Sequence, residues 1–125
     1  MKELKARLAK LLMEKSYIEG EVTLTSGKKS NYYFDCKPTA LHPEGSYLIG
    51  KLFFHMLPED VGGVAGMTLG ADPLVTAVTV ISYMEERPLP GLIVRKKTKG
   101  PRYQKLCRRA KKISNKATRW WYWKM

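Results

Sequence analysis

The run Val-Gly-Gly-Val-Ala-Gly-Met-Thr-Leu-Gly, from Val61 to Gly70, limits what this chain can fold into more than any other segment. Val61 to Gly66 reads as a buried strand that empties into a glycine-containing loop. Asp72-Pro73 then supplies a helix cap and a favoured first helical residue. The helix is expected to continue to about Glu86, and Leu92-Ile93-Val94 makes the next strand. Strand, helix and strand at these lengths form a βαβ unit, which needs a parallel sheet. The expected class is α/β.

The part before this unit is also regular. Leu4, Leu8, Leu11 and Leu12 fall at helical spacing among Lys and Glu, so an amphipathic helix is expected over roughly residues 2–15. After Gly20, Val22 to Leu24 reads as a short strand. Ser26-Gly27 is a turn signal, and Asn31 to Asp35 is extended and aromatic-rich. Pro43-Glu44 suits the first turn of a second helix with Leu48, Ile49, Leu52, Phe53 and Met56 as its apolar set. Pro58 stops it. There is no internal repeat.

At 125 residues the chain is long enough for one domain. A hydrophobic content of 44% argues against wholesale disorder. Cys36 and Cys107 are too few for a disulfide scaffold and lack metal-site spacing. No apolar stretch reaches the roughly 18 residues that span a membrane. The N-terminus is charged throughout and has no signal-peptide core. A cytoplasmic protein with no membrane partner is the expectation.

Charge is concentrated at one end. The 23 Lys and Arg outnumber 11 Asp and Glu, for a net charge of +12. Residues 100–125 hold nine of the basic side chains, all three tryptophans and no acid. The sequence pI of about 9.8 is therefore mostly a property of the tail. Lys105 to Lys112 can coil as a basic helix, and Thr118 to Met125 matches neither a helical nor a strand period.

Three segments carry possible chemistry. Thr25 to Asp35 offers hydroxyls, amides and ammonium groups at a turn, beside aromatic walls for a planar ring; an ordinary hairpin with a solvated basic tip has the same composition. Gly66 to Asp72 is a strand-to-helix loop, where glycines let amides approach phosphates; a tight turn needs the same glycines. Arg95-Lys96-Lys97-Thr98-Lys99-Gly100 groups cations at a strand end, which suits a polyphosphate and equally a solvated charge run. His42 and His55 have no metal-ligand spacing, and His55 reads as a surface or packing residue. Cys36 reads as a small buried apolar residue.

Taken together, Leu-Thr-Ser-Gly-Lys-Lys-Ser-Asn-Tyr-Tyr-Phe-Asp-Cys-Lys-Pro-Thr-Ala-Leu-His-Pro-Glu-Gly, then Gly-Gly-Val-Ala-Gly-Met-Thr-Leu-Gly-Ala-Asp-Pro-Leu, then Val-Arg-Lys-Lys-Thr-Lys-Gly resemble orotate phosphoribosyltransferases in order and spacing. The resemblance covers residues 1 to about 100. It implies an incomplete type I phosphoribosyltransferase fold, a parallel sheet core with an N-terminal helix and strand segment. It also implies transfer of phosphoribosyl from 5-phosphoribosyl 1-diphosphate to orotate in pyrimidine synthesis, with Mg²⁺ and in a homodimer. By position, Thr25 stands where many members have a diphosphate-contacting lysine. Tyr33 and Phe34 match an aromatic pair beside orotate, and Leu69 and Gly70 fall in a pyrophosphate loop. Arg95, Lys96 and Lys99 match the cations that open a mobile catalytic loop, with Lys99 the expected catalytic residue. Cations and Mg²⁺ there would stabilise charge on the departing pyrophosphate.

The resemblance stops at Gly100. The family continues with His-Gly-Thr, whereas Pro101-Arg102-Tyr103 follows here, so the loop histidine is absent. The family's apolar strand with its acidic pair and its Thr-Thr-Gly loop are missing as well. The codons offer a reason. Trp120 to Met125 must be encoded TGG TGG TAY TGG AAR ATG, which read from each third base gives Val-Val-Leu-Glu and then Asp or Asn. Read from the second base, Pro101 to Gln104 can encode His-Gly-Thr. The tail thus looks like family sequence in shifted frames. Residues 1–99 are read as the N-terminal part of the enzyme domain and 100–125 as a non-homologous basic, Trp-rich tail. The chain is expected to be inactive by truncation. The alternative is a nucleic-acid-binding protein that uses the tail to neutralise phosphates and stack bases; nucleic acid is not the expected partner.

Overall fold

The computed structural model describes residues 1–24, 26–95 and the backbone of 119–123. Helix α1 spans Lys2–Lys15, as the leucine spacing predicts, and buries Leu11. Strands β1 (Tyr17–Thr23) and β2 (Lys29–Phe34) pair antiparallel around Ser26-Gly27. Gly27 takes a positive φ of 80° there, and its amide donates to the Leu24 carbonyl at 2.8 Å. Glycine adopts that backbone at no steric cost.

Three helices frame the core. Helix α2 (Lys37–Leu41) is a short turn that the sequence reading passes over. Helix α3 (Pro43–Met56) starts at the expected proline. Strand β3 (Val61–Met67) leads through a loop into helix α4 (Asp72–Met84), which returns to strand β4 (Gly91–Val94). Strands β3 and β4 are parallel, with Val64 opposite Gly91 and Met67 opposite Val94, so the expected βαβ unit is present.

A fifth strand, β5 (Arg119–Trp123), lies parallel on the other side of β3, giving the order β4-β3-β5. This corrects the expectation that Thr118 to Met125 has no strand character. Trp and Tyr favour strands strongly, and an aromatic run needs no alternation to pair with an open edge. The basic helix expected at Lys105 to Lys112 lies outside the described residues.

The main core joins Phe54 and Leu57 to Val64 of β3, to Val75, Val78 and Ile81 of α4, and to Leu89. Val64 and Val78 are fully sealed from solvent, and each such side chain contributes about 2 kcal/mol by burial. A second cluster of Ala40, Ile49 and Leu74 joins α2 and α3 to the start of α4. Cys36 is exposed, not buried as expected. It precedes α2 at the end of the hairpin, outside both clusters. His55 is exposed, as its position predicts. Among the described residues no helix is long and apolar enough to cross a membrane.

Candidate functional site

Strand β3 delivers the chain into the loop Thr68 to Ala71 at the C-terminal end of the parallel sheet, where α/β proteins place their ligands. Four hydrogen bonds shape this loop. The Thr68 amide donates to Val94 at the end of β4, at 2.9 Å. The Ala71 amide donates to Met67 at 3.1 Å and the Asp72 amide to Leu69 at 3.2 Å. The Thr68 hydroxyl donates to Asp72 Oδ2 at 2.9 Å. The Thr68-Leu69 peptide is cis.

Two amides of the loop, those of Leu69 and Gly70, donate to nothing among the described residues. Leu69 is 81% exposed, so the crest of the turn faces solvent. The base of the loop is tight. A Cβ on Gly66 would stand 2.5 Å from Ala71 Cβ and 2.8 Å from Val75 Cγ2, so only glycine lets β3 approach α4 this closely. Unpaired amides over a helix N-terminus favour an anion, because both the N–H dipoles and the helix field point positive charge toward it.

Asp72 departs from its expected role. Ala71 holds the cap position, and Asp72 is the first residue of α4, with no capping bond from its side chain. Pro73 has no amide to offer, and the Thr68 hydroxyl takes the carboxylate instead. Asp72 Oδ1 is buried and has no hydrogen-bond partner among the described residues. The Thr68 and Asp72 pair went unread in the sequence; its signal is a hydroxyl and a carboxylate four residues apart across the loop.

The hairpin carries a separate surface. Tyr17 and Phe34 are opposite each other, as are Glu19 and Tyr32. The rings of Tyr17, Tyr32 and Phe34 consequently gather on one face, with centroids 5.4 to 6.2 Å apart. Tyr33 faces the other way, paired with Ile18. Tyr33 and Phe34 therefore sit side by side in β2 but on opposite faces, a consequence of the two-residue period of a strand. The hairpin packs on α1, and no comparable packing joins it to β3 or β4.

Of the expected site residues, the structure brings together Leu69, Gly70 and Arg95, because Thr68 is bonded to Val94, the residue before Arg95. Among the described residues no hydrogen bond or ring contact joins Tyr33 or Phe34 to that loop. Thr25, Lys96 and Lys99 lie outside the described residues.

Comparison with known proteins points one way. No family model matches the chain. An orotate phosphoribosyltransferase of Nostoc sp. is 50% identical over 97 residues, 78% of this chain and 47% of the relative. The crystal structure of Mycobacterium tuberculosis orotate phosphoribosyltransferase with inorganic phosphate superposes with a TM-score of 0.66 at 38% identity, covering 79% of this chain and 58% of that one. The same enzyme with 5-phospho-α-D-ribosyl 1-diphosphate gives 0.61 at 38% identity, covering 78% and 57%. The chain spans about half the length of the curated relatives it matches. On both sequence and α/β fold, the chain matches about half of an orotate phosphoribosyltransferase.

Proposed function

We propose that this chain supplies the diphosphate-binding half of an orotate phosphoribosyltransferase site, with 5-phosphoribosyl 1-diphosphate and orotate as substrates. The observation that carries this is the pair of unpartnered amides at Leu69 and Gly70, beside the strand end that leads to Arg95. In the reaction, N1 of orotate bonds to C1 of the ribose while the C1–O bond to diphosphate breaks. The electron pair leaves on pyrophosphate. Amides and cations fixed around the leaving oxygens act where charge develops, which lowers the barrier. Lys96 and Lys99, with Lys99 as the catalytic cation, extend this charge, and Thr25 is a further diphosphate contact. Tyr33 and Phe34 are assigned to orotate; their opposite faces allow one of them to stack on the ring while the other packs behind it.

Mg²⁺ belongs to this reading as part of the substrate complex. Among the described residues no three or more His, Cys, Asp or Glu converge on one point. Mg²⁺ commonly keeps few protein ligands and takes phosphate oxygens, so it fits here as the Mg²⁺–diphosphate complex. A homodimer is also part of the proposal. Tyr47, Val80, Tyr83 and Met84 leave an exposed apolar face on α3 and α4, which supports it.

Calorimetric titration of the chain with 5-phosphoribosyl 1-diphosphate and Mg²⁺ tests the reading, followed by an assay of orotate-dependent pyrophosphate release. Saturable binding is expected. No turnover above background is expected, because Pro101-Arg102-Tyr103 replaces the family's His-Gly-Thr and the ribose-phosphate loop is missing. Absence of binding at millimolar substrate would overturn the reading.

A further inference from the structure

The expected phosphate contacts are Leu69 and Gly70, but what holds them is a different pair. We propose that the Thr68 hydroxyl and the Asp72 carboxylate form a clamp across the loop, which makes Asp72 a positioning residue for the anion site. The inference rests on the diphosphate reading above.

A carboxylate beside an anion site is at first sight misplaced, since its charge opposes the ligand. The geometry gives it another task. Thr68 Oγ1 donates to Asp72 Oδ2 at 2.9 Å, joining the first residue after β3 to the first residue of α4. The span between them is Leu69, Gly70 and Ala71 alone. Ala71 is fully buried, and its amide is bonded to Met67. Thr68 is fixed to β4 through its own amide. Asp72 is fixed to the helix through its carbonyl, which accepts from the Thr76 hydroxyl at 3.0 Å. With both ends held, Leu69 and Gly70 are left as the only loop amides without an internal acceptor among the described residues.

The clamp also explains why the carboxylate does not cap its own helix. A capping aspartate would accept from the amides at the start of α4 and so occupy the positive end of that helix. Bonded to Thr68 instead, Asp72 leaves that end to a ligand. The role depends on the hydrogen bond and not on the charge. Asparagine preserves an acceptor for Thr68 and removes the repulsion; alanine removes both.

The test measures binding of inorganic pyrophosphate to the full chain by calorimetry, together with amide hydrogen exchange by NMR. Thr68→Val and Asp72→Ala are each expected to weaken pyrophosphate roughly tenfold, the scale of one hydrogen bond to a charged group. They are also expected to speed exchange at Ala71 and Asp72, whose amides are bonded to Met67 and Leu69, while leaving Val64 in β3 protected. Thr68→Ser and Asp72→Asn should bind at least as well as the parent chain. Loss of binding in Asp72→Asn equal to that in Asp72→Ala would overturn the clamp in favour of a charge role. Binding and loop exchange both unchanged in Thr68→Val would overturn it too. No pyrophosphate binding by the unsubstituted chain would overturn the diphosphate reading itself, while the exchange measurement still decides whether the clamp holds the loop.

Discussion

Ser16 and Thr39 share a hydrogen bond of 2.5 Å between hydroxyls on side chains that are almost wholly sealed from solvent. Ser16 closes α1 and precedes the aromatic hairpin, while Thr39 lies in α2. Next to this bond the Asp35 amide donates to the Ser16 carbonyl at 2.9 Å, which secures the other end of the hairpin. The pair thus ties the aromatic surface to the helical layer. Thr39→Val keeps the shape and removes the partner, leaving a buried Ser16 hydroxyl unpaired. A loss of about 1–3 kcal/mol is expected by urea unfolding. A variant as stable as the parent would show that the hydroxyls do not depend on each other.

Gly66 sets the distance between β3 and α4 at the base of the candidate site. In Gly66→Ala the new methyl meets Ala71 and Val75 below van der Waals separation, so α4 must shift or the loop must open. Overpacking of this kind costs about 1–3 kcal/mol. Pyrophosphate binding should fall as well, because Ala71 anchors the loop. Unfolding midpoints within error of the parent would contradict this account of the contact.

Lys51 of α3 and Glu85, which caps the end of α4, form an ion pair whose side chains are 22% and 30% exposed. The hydrogen bond to Lys51 holds the Glu85 carboxyl below its ordinary value, and the same bond raises the Lys51 ammonium above its own. The sign of each effect is fixed. Glu85 contributes stability that is present above the unfolded carboxylate value near 4.3 and lost as pH falls through the lower folded value. Lys51 contributes stability that is present below the unfolded ammonium value near 10.4 and lost as pH rises through the higher folded value. Glu85→Gln should therefore destabilise the chain at neutral pH by an amount that disappears in acid. A destabilisation independent of pH between 3 and 7 would mean that packing, not charge, accounts for the effect.

The elements that were legible in the sequence are those with a long period or a hard stop. The α1 leucines, Pro43 and Pro58 around α3, and the glycine-rich β3 all lie where their residues predict. Short or interrupted elements were not legible. In β1 a bulge between Glu19 and Val22, with Gly20 at a φ of 140°, breaks the alternation, so the strand starts five residues before Val22. Helix α2 is only five residues, too short to show a helical period. At the site, it was the resemblance, not residue type, that singled out Leu69, Gly70 and Arg95. The Thr68–Asp72 bond depends on how a loop closes, and that is set by tertiary contacts to β4 and α4 rather than by local preference.

The clearest difference between reading and structure is β5, and it can be tested at single amides. The Val64 and Thr68 amides donate to Pro90 and Val94, on the β4 side of β3. Amides alternate sides along a strand, so that of Ala65 faces β5, where Tyr122 is its register partner. Replacing both Trp121 and Tyr122 by proline removes the donors at two adjacent positions, one of which must face β3. Loss of about 1–3 kcal/mol is expected from the broken ladder. The finer expectation concerns hydrogen exchange. Ala65 should lose protection in the doubly substituted chain while Val64 keeps it, because the β4 side is untouched. Equal protection of both amides, with an unchanged urea midpoint, would show that the aromatic run contributes nothing to the sheet. Loss at Ala65 alone would show that Trp and Tyr fill a strand position beside β3 that the shifted frame would give to Val-Val-Leu-Glu.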